Sequence, residues 1–485
     1  MSRIQVPDIS HSPDDNDTFD KCTLSERIRS PHDNRQPIDK LPGELLAYIF
    51  IVREELTRSI AKRNESRYTP FQDIVVQVSS RWRQVAIASP ALWTYIRITN
   101  ARSRDITDLW ISRAGPETLL DIDIELLAPY CASVSCGIAD WKGQEEHATS
   151  MFECLSHHGA GPQRWRSLSF SALQPEPIYR LIRLLNQKPA PKLQQLYLYV
   201  NHLLGSESDS GRGWTEALYS LDHAMPNLAH VEFGRVSWKY VFDRPKPLLS
   251  GLSTLKLLGG FEFPASLPKL HQLLSANPSL ELLELNIGAT PPHTLNPLRG
   301  DRPLNPAHLP SLRTLSLGWD FDITWGWGIT SLLRAPLLES LSLAGCDFSQ
   351  GQIASAAFFD YVITGQFPGD NSPINTPTNN PLFPSLRKLD VSNVFLVNTN
   401  KAIDMVASFP FITRLSISCS VAPLALSGLQ HSLPRLDALS LFCRGNGLHK
   451  CLQKISEPVS LREQNGYPVR VEHIVVSPMY GVRAV

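Results

Sequence analysis

The sequence lacks most of the marks that enzymes and membrane proteins carry. No apolar run approaches the roughly 20 residues that span a bilayer. The N-terminus is polar and acidic, with no hydrophobic signal core. A cytoplasmic or nuclear protein is therefore expected. Neither sign of charge is in excess, with 46 Lys plus Arg against 46 Asp plus Glu. Without a basic field to attract a phosphate backbone, nucleic acid is not an expected partner. The eight cysteines include no Cys-x-x-Cys pair and no zinc-finger spacing. They read as thiols of a reducing compartment.

Catalytic signatures are missing too. There is no P-loop, no His-Glu-x-x-His and no Gly-x-Ser-x-Gly elbow. Gly326-x-Gly328 and Gly445-x-Gly447 lack the third glycine of a dinucleotide fingerprint and read as turns. His157-His158 reads as the cap of an exposed helix end rather than a metal site. No cofactor and no enzyme activity are expected; a hydrolase whose site is assembled from distant residues is the lesser alternative.

What the sequence does hold is a repeated phrase. An apolar residue, two variable ones, Leu, one variable one and a second apolar residue recur as Trp165-Leu168-Phe170, Leu193-Leu196-Leu198, Leu228-Val231-Phe233 and Leu252-Leu255-Leu257. The series continues at Leu280, Leu312, Leu338, Leu386, Ile412 and Leu436, with a weaker copy at Val471-Ile474-Val476. Eight copies carry proline two residues before the first apolar position, at 191, 226, 278, 310, 336, 384, 410 and 434. Proline there stops a helix ahead of a strand. Successive copies lie 24 to 35 residues apart, with one gap of 48. Helical spacing fills the intervals, as at Ile178, Leu181, Ile182 and Leu185. One strand and one helix per unit bury their faces only when stacked, so an irregular leucine-rich-repeat solenoid over 94–485 is expected. A single doubly wound sheet is the competing architecture. Loop insertions are expected near 201–213, 289–310 and 366–384, and the Ser/Pro/Asp/Asn-rich residues 1–37 are expected to be a disordered tail.

Ahead of the repeats stand Leu41-Pro42-x-Glu44-Leu45-Leu46-x-x-Ile49-Phe50, Val78-x-x-x-Trp82-Arg83-x-x-Ala86 and Pro90-x-Leu92-Trp93. These residues resemble an F-box, over 38–93, and more narrowly the F-box proteins abundant in mushroom-forming fungi. The overall class is then α/β: a short all-α F-box module followed by the solenoid. The resemblance implies docking on a Skp-type adaptor, and through it on a cullin, within a ubiquitin ligase. Leu41, Pro42, Leu45, Ile49, Phe50, Val78 and Trp82 would carry adaptor contact or the packing beneath it. The segment Ile51 to Asp73 between the two halves is long and charged, a departure from the family pattern. A scaffold acting outside a ligase is the second reading.

The substrate would be a protein held on the outward face of the strands, because strand side chains alternate. The central outward position holds Tyr197, Glu232, Lys256, Glu284, Ser316, Ser342, Asp390, Ser416 and Ser440, with Tyr199 at the following one. Trp319, Trp325 and Trp327 are further candidates, as interface anchors at a strand's C-terminal end or as packing under the rim.

Overall fold

A computed structural model describes residues 37–64, 69–99, 104–126, 141–173, 175–201, 225–236, 249–260, 267–287, 305–319, 323–344, 352–366, 381–392, 406–419, 422, 433–444 and 448–477. The tail 1–36, most of the three expected insertions, and the side chains of Trp319 and Trp325 lie outside them. The chain divides into two compact units, Met1–Ala86 and Ile87–Val485.

The first unit is helical. Helix α1 (Gly43–Asn64) starts just after Pro42, whose carbonyl accepts the Leu46 N–H at 3.1 Å. It runs through the charged residues after Phe50, so much of the expected insertion is simply more helix. Helices α2 (Phe71–Val78) and α3 (Ser80–Ile87) follow. Ser79 ends α2 in extended conformation, and its hydroxyl accepts the Trp82 N–H at 3.1 Å, capping α3. The Arg83 guanidinium closes the other side of this joint on the Val76 carbonyl at 2.8 Å. Phe50 lies 5.0 Å from Trp82 and 6.0 Å from Phe71, centroid to centroid, so one α1 side chain knits all three helices.

The second unit begins ahead of Leu92 and Trp93, which the resemblance had grouped with the first. Both are buried, and Trp93 packs edge-on against Trp110 of α4 (Arg104–Ala114). Strands β1 (Tyr95–Thr99), β2 (Leu120–Leu126), β3 (Trp165–Ala172), β4 (Gln195–Val200), β5 (His230–Gly234), β6 (Thr254–Gly260) and β7 (Leu282–Ile287) start a parallel sheet. It continues through β9 (Thr314–Trp319), β11 (Ser340–Ala344), β12 (Lys388–Asp390), β13 (Arg414–Ser418), β14 (Ala438–Arg444) and β15 (Arg470–Ser477). The 13 strands stand in sequence order. A doubly wound sheet would reverse its order part-way; this one does not, and the arrangement is that of an α/β solenoid. Two short strands, β8 (Ala307–His308) and β10 (Leu333–Arg334), pair separately, so the end of the expected 289–310 loop is ordered.

The repeated phrase accounts for the sheet. All three core positions of each of the ten clear copies are buried. The prolines do more than stop helices. At all eight, the first apolar residue of the phrase donates its N–H to the carbonyl of the residue before the proline, from Leu193 to Ala190 at 3.2 Å through Leu436 to Leu433 at 3.2 Å. Each proline is thus the second residue of a four-residue turn, where its fixed φ costs nothing. The next N–H reaches back to the preceding copy, as Arg313 does to Glu281 at 2.9 Å, and starts the ladder. Helices cover the intervals: α5 (Trp141–His157), α6 (Glu176–Gln187), α7 (Leu267–Ser275), α8 (Ile323–Ser331), α9 (Gln352–Thr364) and α10 (Leu448–Gln464).

Among the described residues no helix is long and apolar enough to cross a membrane. Cys419 is disulfide-bonded, where only thiols were expected.

Candidate interaction surfaces

Helix α1 has two apolar stripes. Leu46 and Phe50 are fully buried, and one turn on Glu54 is buried with them. The second stripe, Leu45, Ile49, Val52 and Leu56, follows the same 3–4 spacing but faces solvent, at 42–51% exposure. On α2, Ile74 and Val78 are likewise exposed while Val75 is buried. Large apolar side chains in such a row are an unsatisfied surface, not the scatter that any protein shows.

The residues expected to contact an adaptor therefore separate. Pro42, Leu45, Ile49 and Val78 are exposed; Leu41 and Trp82 are half-buried. Phe50 is inside and serves only packing. The Arg81 guanidinium donates to the Leu41 carbonyl and fixes the chain just before α1. Val52, Leu56 and Ile74 were missed, although the spacing of Leu45, Ile49, Val52 and Leu56 was legible. The first block of residues that carries the resemblance ends at Phe50 and the next begins at Val78, so these three lie between them.

In the second unit the outward strand positions stand in register. Tyr197 neighbours Glu232, then Lys256, Glu284, Ser316, Ser342, Asp390, Ser416 and Ser440, each one strand on. The Lys256 ammonium sits between Glu232 and Glu284, at 3.4 and 3.6 Å. The Tyr199 hydroxyl donates to Glu232 Oε1 at 2.5 Å. Burial first, and Glu232 second, hold the Tyr199 hydroxyl proton well above the usual tyrosine range; Tyr197 is raised for the same reasons. The Tyr199 ring has room because its neighbour in register is Gly234, where a Cβ would stand 2.5 Å from the ring.

The same face extends further toward the N-terminus than the repeated phrase indicated. Arg97 reaches Glu125 at 2.6 Å and Asp123 at 3.7 Å, and Tyr95 donates to Asp123 at 2.6 Å. Arg166 forks onto Asp121 at 2.9 and 2.6 Å. Burial opposes the Arg97 charge, but Glu125 and Asp123 outweigh it and raise its pKa. Among the described residues from β1 to β7, these ion pairs join Arg97, Arg166 and Lys256 to five carboxylates, those of Asp121, Asp123, Glu125, Glu232 and Glu284. Toward the C-terminus the face turns to small hydroxyls around Asp390, which accepts from Ser392 Oγ at 2.6 Å.

Trp327 is not part of any surface. Helix α8 turns it inward, where it is 1% exposed, stacked on Tyr361 at 5.2 Å and edge-on to Phe358 at 5.9 Å. Its burial corrects the expectation of an interface anchor. The two neighbouring glycines, Gly326 and Gly328, are buried with it in the same helix.

No protein-family model and no curated protein matches the chain. Among solved structures, a chain of the yeast Rad7–Elc1 complex is similar at 12% identity and a TM-score of 0.34, over 82% of this chain and 88% of that one. A Bacteroides fragilis protein is similar at 15% identity and a TM-score of 0.34, over 69% of this chain and 83% of that one. Likenesses this distant carry no functional argument.

Proposed function

We propose that the chain is the substrate-recognition subunit of a Skp–cullin–F-box type ubiquitin ligase. The helical unit docks on a Skp-type adaptor, and the outward face of the parallel sheet holds a protein substrate. The chain itself does no bond chemistry: it works by bringing a substrate close to the ubiquitin-loaded enzyme, in the cytoplasm or nucleus. The observation that carries this reading is the exposed row Leu45, Ile49, Val52 and Leu56 with Ile74 and Val78, on a unit whose core is already filled by Leu46, Phe50 and Val75. Water is a poor solvent for such a row, and a partner with a complementary apolar face would bury it. The residues in it overlap those that carry the F-box resemblance. The five ion-paired carboxylates over β1 to β7 favour a substrate segment of net positive charge.

Pull-down of the purified chain with a Skp-type adaptor and a cullin tests the docking. Capture should be lost in Leu45→Asp with Ile49→Asp. Retained capture would sink the proposal, and adaptor capture with no cullin in the same eluate would place the protein outside a ligase.

A further inference from the structure

We infer a zinc site at Asp108, Cys154 and His158, joining α4 to α5. The inference does not depend on the adaptor or substrate readings. One ligand atom from each of the three side chains lies within 4.8 Å of the other two. Cys154 and His158 are four residues apart at the end of α5, so both point from the same side of the helix. The His158 N–H still bonds the Cys154 carbonyl, at 3.0 Å, which keeps that last turn intact.

The helix end is fixed with unusual care. Gly159 takes a positive φ of 76°, and the Ala160 N–H returns to the Leu155 carbonyl at 2.7 Å, the closed form of a glycine-terminated helix. Arg164 then ties the Gly159 carbonyl, at 2.7 Å, to the carbonyls of Gly115 and Thr118, which follow α4. The same clamp holds the end of α5 to the segment that follows α4.

Asp108 Oδ1 is shielded from solvent and takes part in no hydrogen bond. It faces His158 Nε2 at 3.4 Å. Two ligands on a tetrahedral zinc ion, each about 2.0–2.1 Å from the metal, stand about 3.4 Å apart. The pair is thus spaced as one edge of a zinc tetrahedron, and the thiol of Cys154 lies within 4.8 Å of both. A shielded carboxylate oxygen that makes no hydrogen bond is costly unless a cation meets it, and a zinc ion between Asp108 Oδ1 and His158 Nε2 would meet both.

The donor set selects the metal. Thiolate, imidazole and a single carboxylate suit zinc, whereas magnesium and calcium need oxygen cages. Cys154 is a thiol, and on binding it releases its proton to solvent and ligates as thiolate. His158 is partly exposed, so water can take the fourth position. Ligation would staple α4 to α5.

The test uses the full-length chain stripped of metal and titrated with cobalt(II), then zinc. One equivalent of cobalt should give a thiolate-to-metal charge-transfer band and the strong visible absorption of a tetrahedral ion, both bleached by one equivalent of zinc. Both should vanish in Cys154→Ser with the circular dichroism unchanged. Zinc affinity should fall at least about tenfold in His158→Gln and in Asp108→Asn, since even outer-shell changes cost that much. His158 is at the surface, so its variant folds even if the Cys154 variant does not. A cobalt spectrum that survives in Cys154→Ser, cobalt binding with no thiolate band, or unchanged zinc affinity in His158→Gln would each overturn the assignment.

Discussion

Glu54 Oε2 accepts the backbone N–H of Phe71 at 3.2 Å, across a gap of 17 residues. Phe71 is the first residue of α2, where helix N–H groups have no partner of their own, and Pro70 before it provides no side-chain cap. A buried carboxylate from α1 takes that role and sets its charge at the positive end of the α2 dipole. The charged run after Phe50 is therefore part of how the helical unit closes. Glu54→Ala should destabilise that unit by about 1–2 kcal/mol, the usual loss for a helix cap. Amide exchange in α2 should speed up, while exchange in the sheet of the second unit stays unchanged.

The two stripes of α1 should respond in opposite ways. Leu46→Ala and Phe50→Ala should each cost about 2–5 kcal/mol of stability, as buried apolar truncations do. Leu45→Asp with Ile49→Asp should leave thermal stability nearly unchanged and act only on partner binding. Denaturant melts of both sets decide this; equal losses would mean that the outer stripe is also core.

Asn277 ties one turn of the solenoid together. Its side-chain amide donates to the carbonyls of Leu249 and Leu273, at 2.9 and 2.8 Å, and its oxygen accepts the Leu252 N–H at 2.8 Å. It is 1% exposed. Asn277→Ala would strand these buried backbone groups, for a loss of about 3 kcal/mol. Chemical denaturation should show a lowered midpoint, with the change in the second unit.

Tyr199 gives the outward face an alkaline limit. Burial and Glu232 raise its pKa in the folded chain, so its contribution to stability is complete below the unfolded value of about 10 and is lost as the pH rises beyond it. Tyr199→Phe should flatten part of the alkaline fall in melting temperature. Gly234→Ala should do the same by pushing the ring off Glu232, and it should also perturb binding on this face. Tyr361 is pushed up to about 12 by burial alone and should titrate unchanged in both variants.

Trp327→Ala should cost about 3–5 kcal/mol, because the indole fills the space between α8 and α9. Fluorescence quenching by iodide should leave this tryptophan's emission untouched in the folded protein. Strong quenching of it would contradict its burial.

Much of the architecture is legible in the sequence. The phrase Leu-x-x-Leu-x-Leu, its period and the prolines ahead of it dictate strands, turns and stacking, because each is a local demand repeated along the chain. The weak copy at Val471 is the last strand of the sheet, as its pattern indicated. The spacing of α1 likewise announced an apolar helix. What the spacing could not settle was which stripe faces inward: Leu45 and Leu46 read alike, and only packing against Phe71 and Trp82 buries the Phe50 side. The same holds for Trp327, for the join of Glu54 to Phe71, and for Asp108 meeting Cys154 and His158. These depend on contacts between residues far apart in sequence. Periodicity records the demands of one element; the tertiary structure decides which elements meet them.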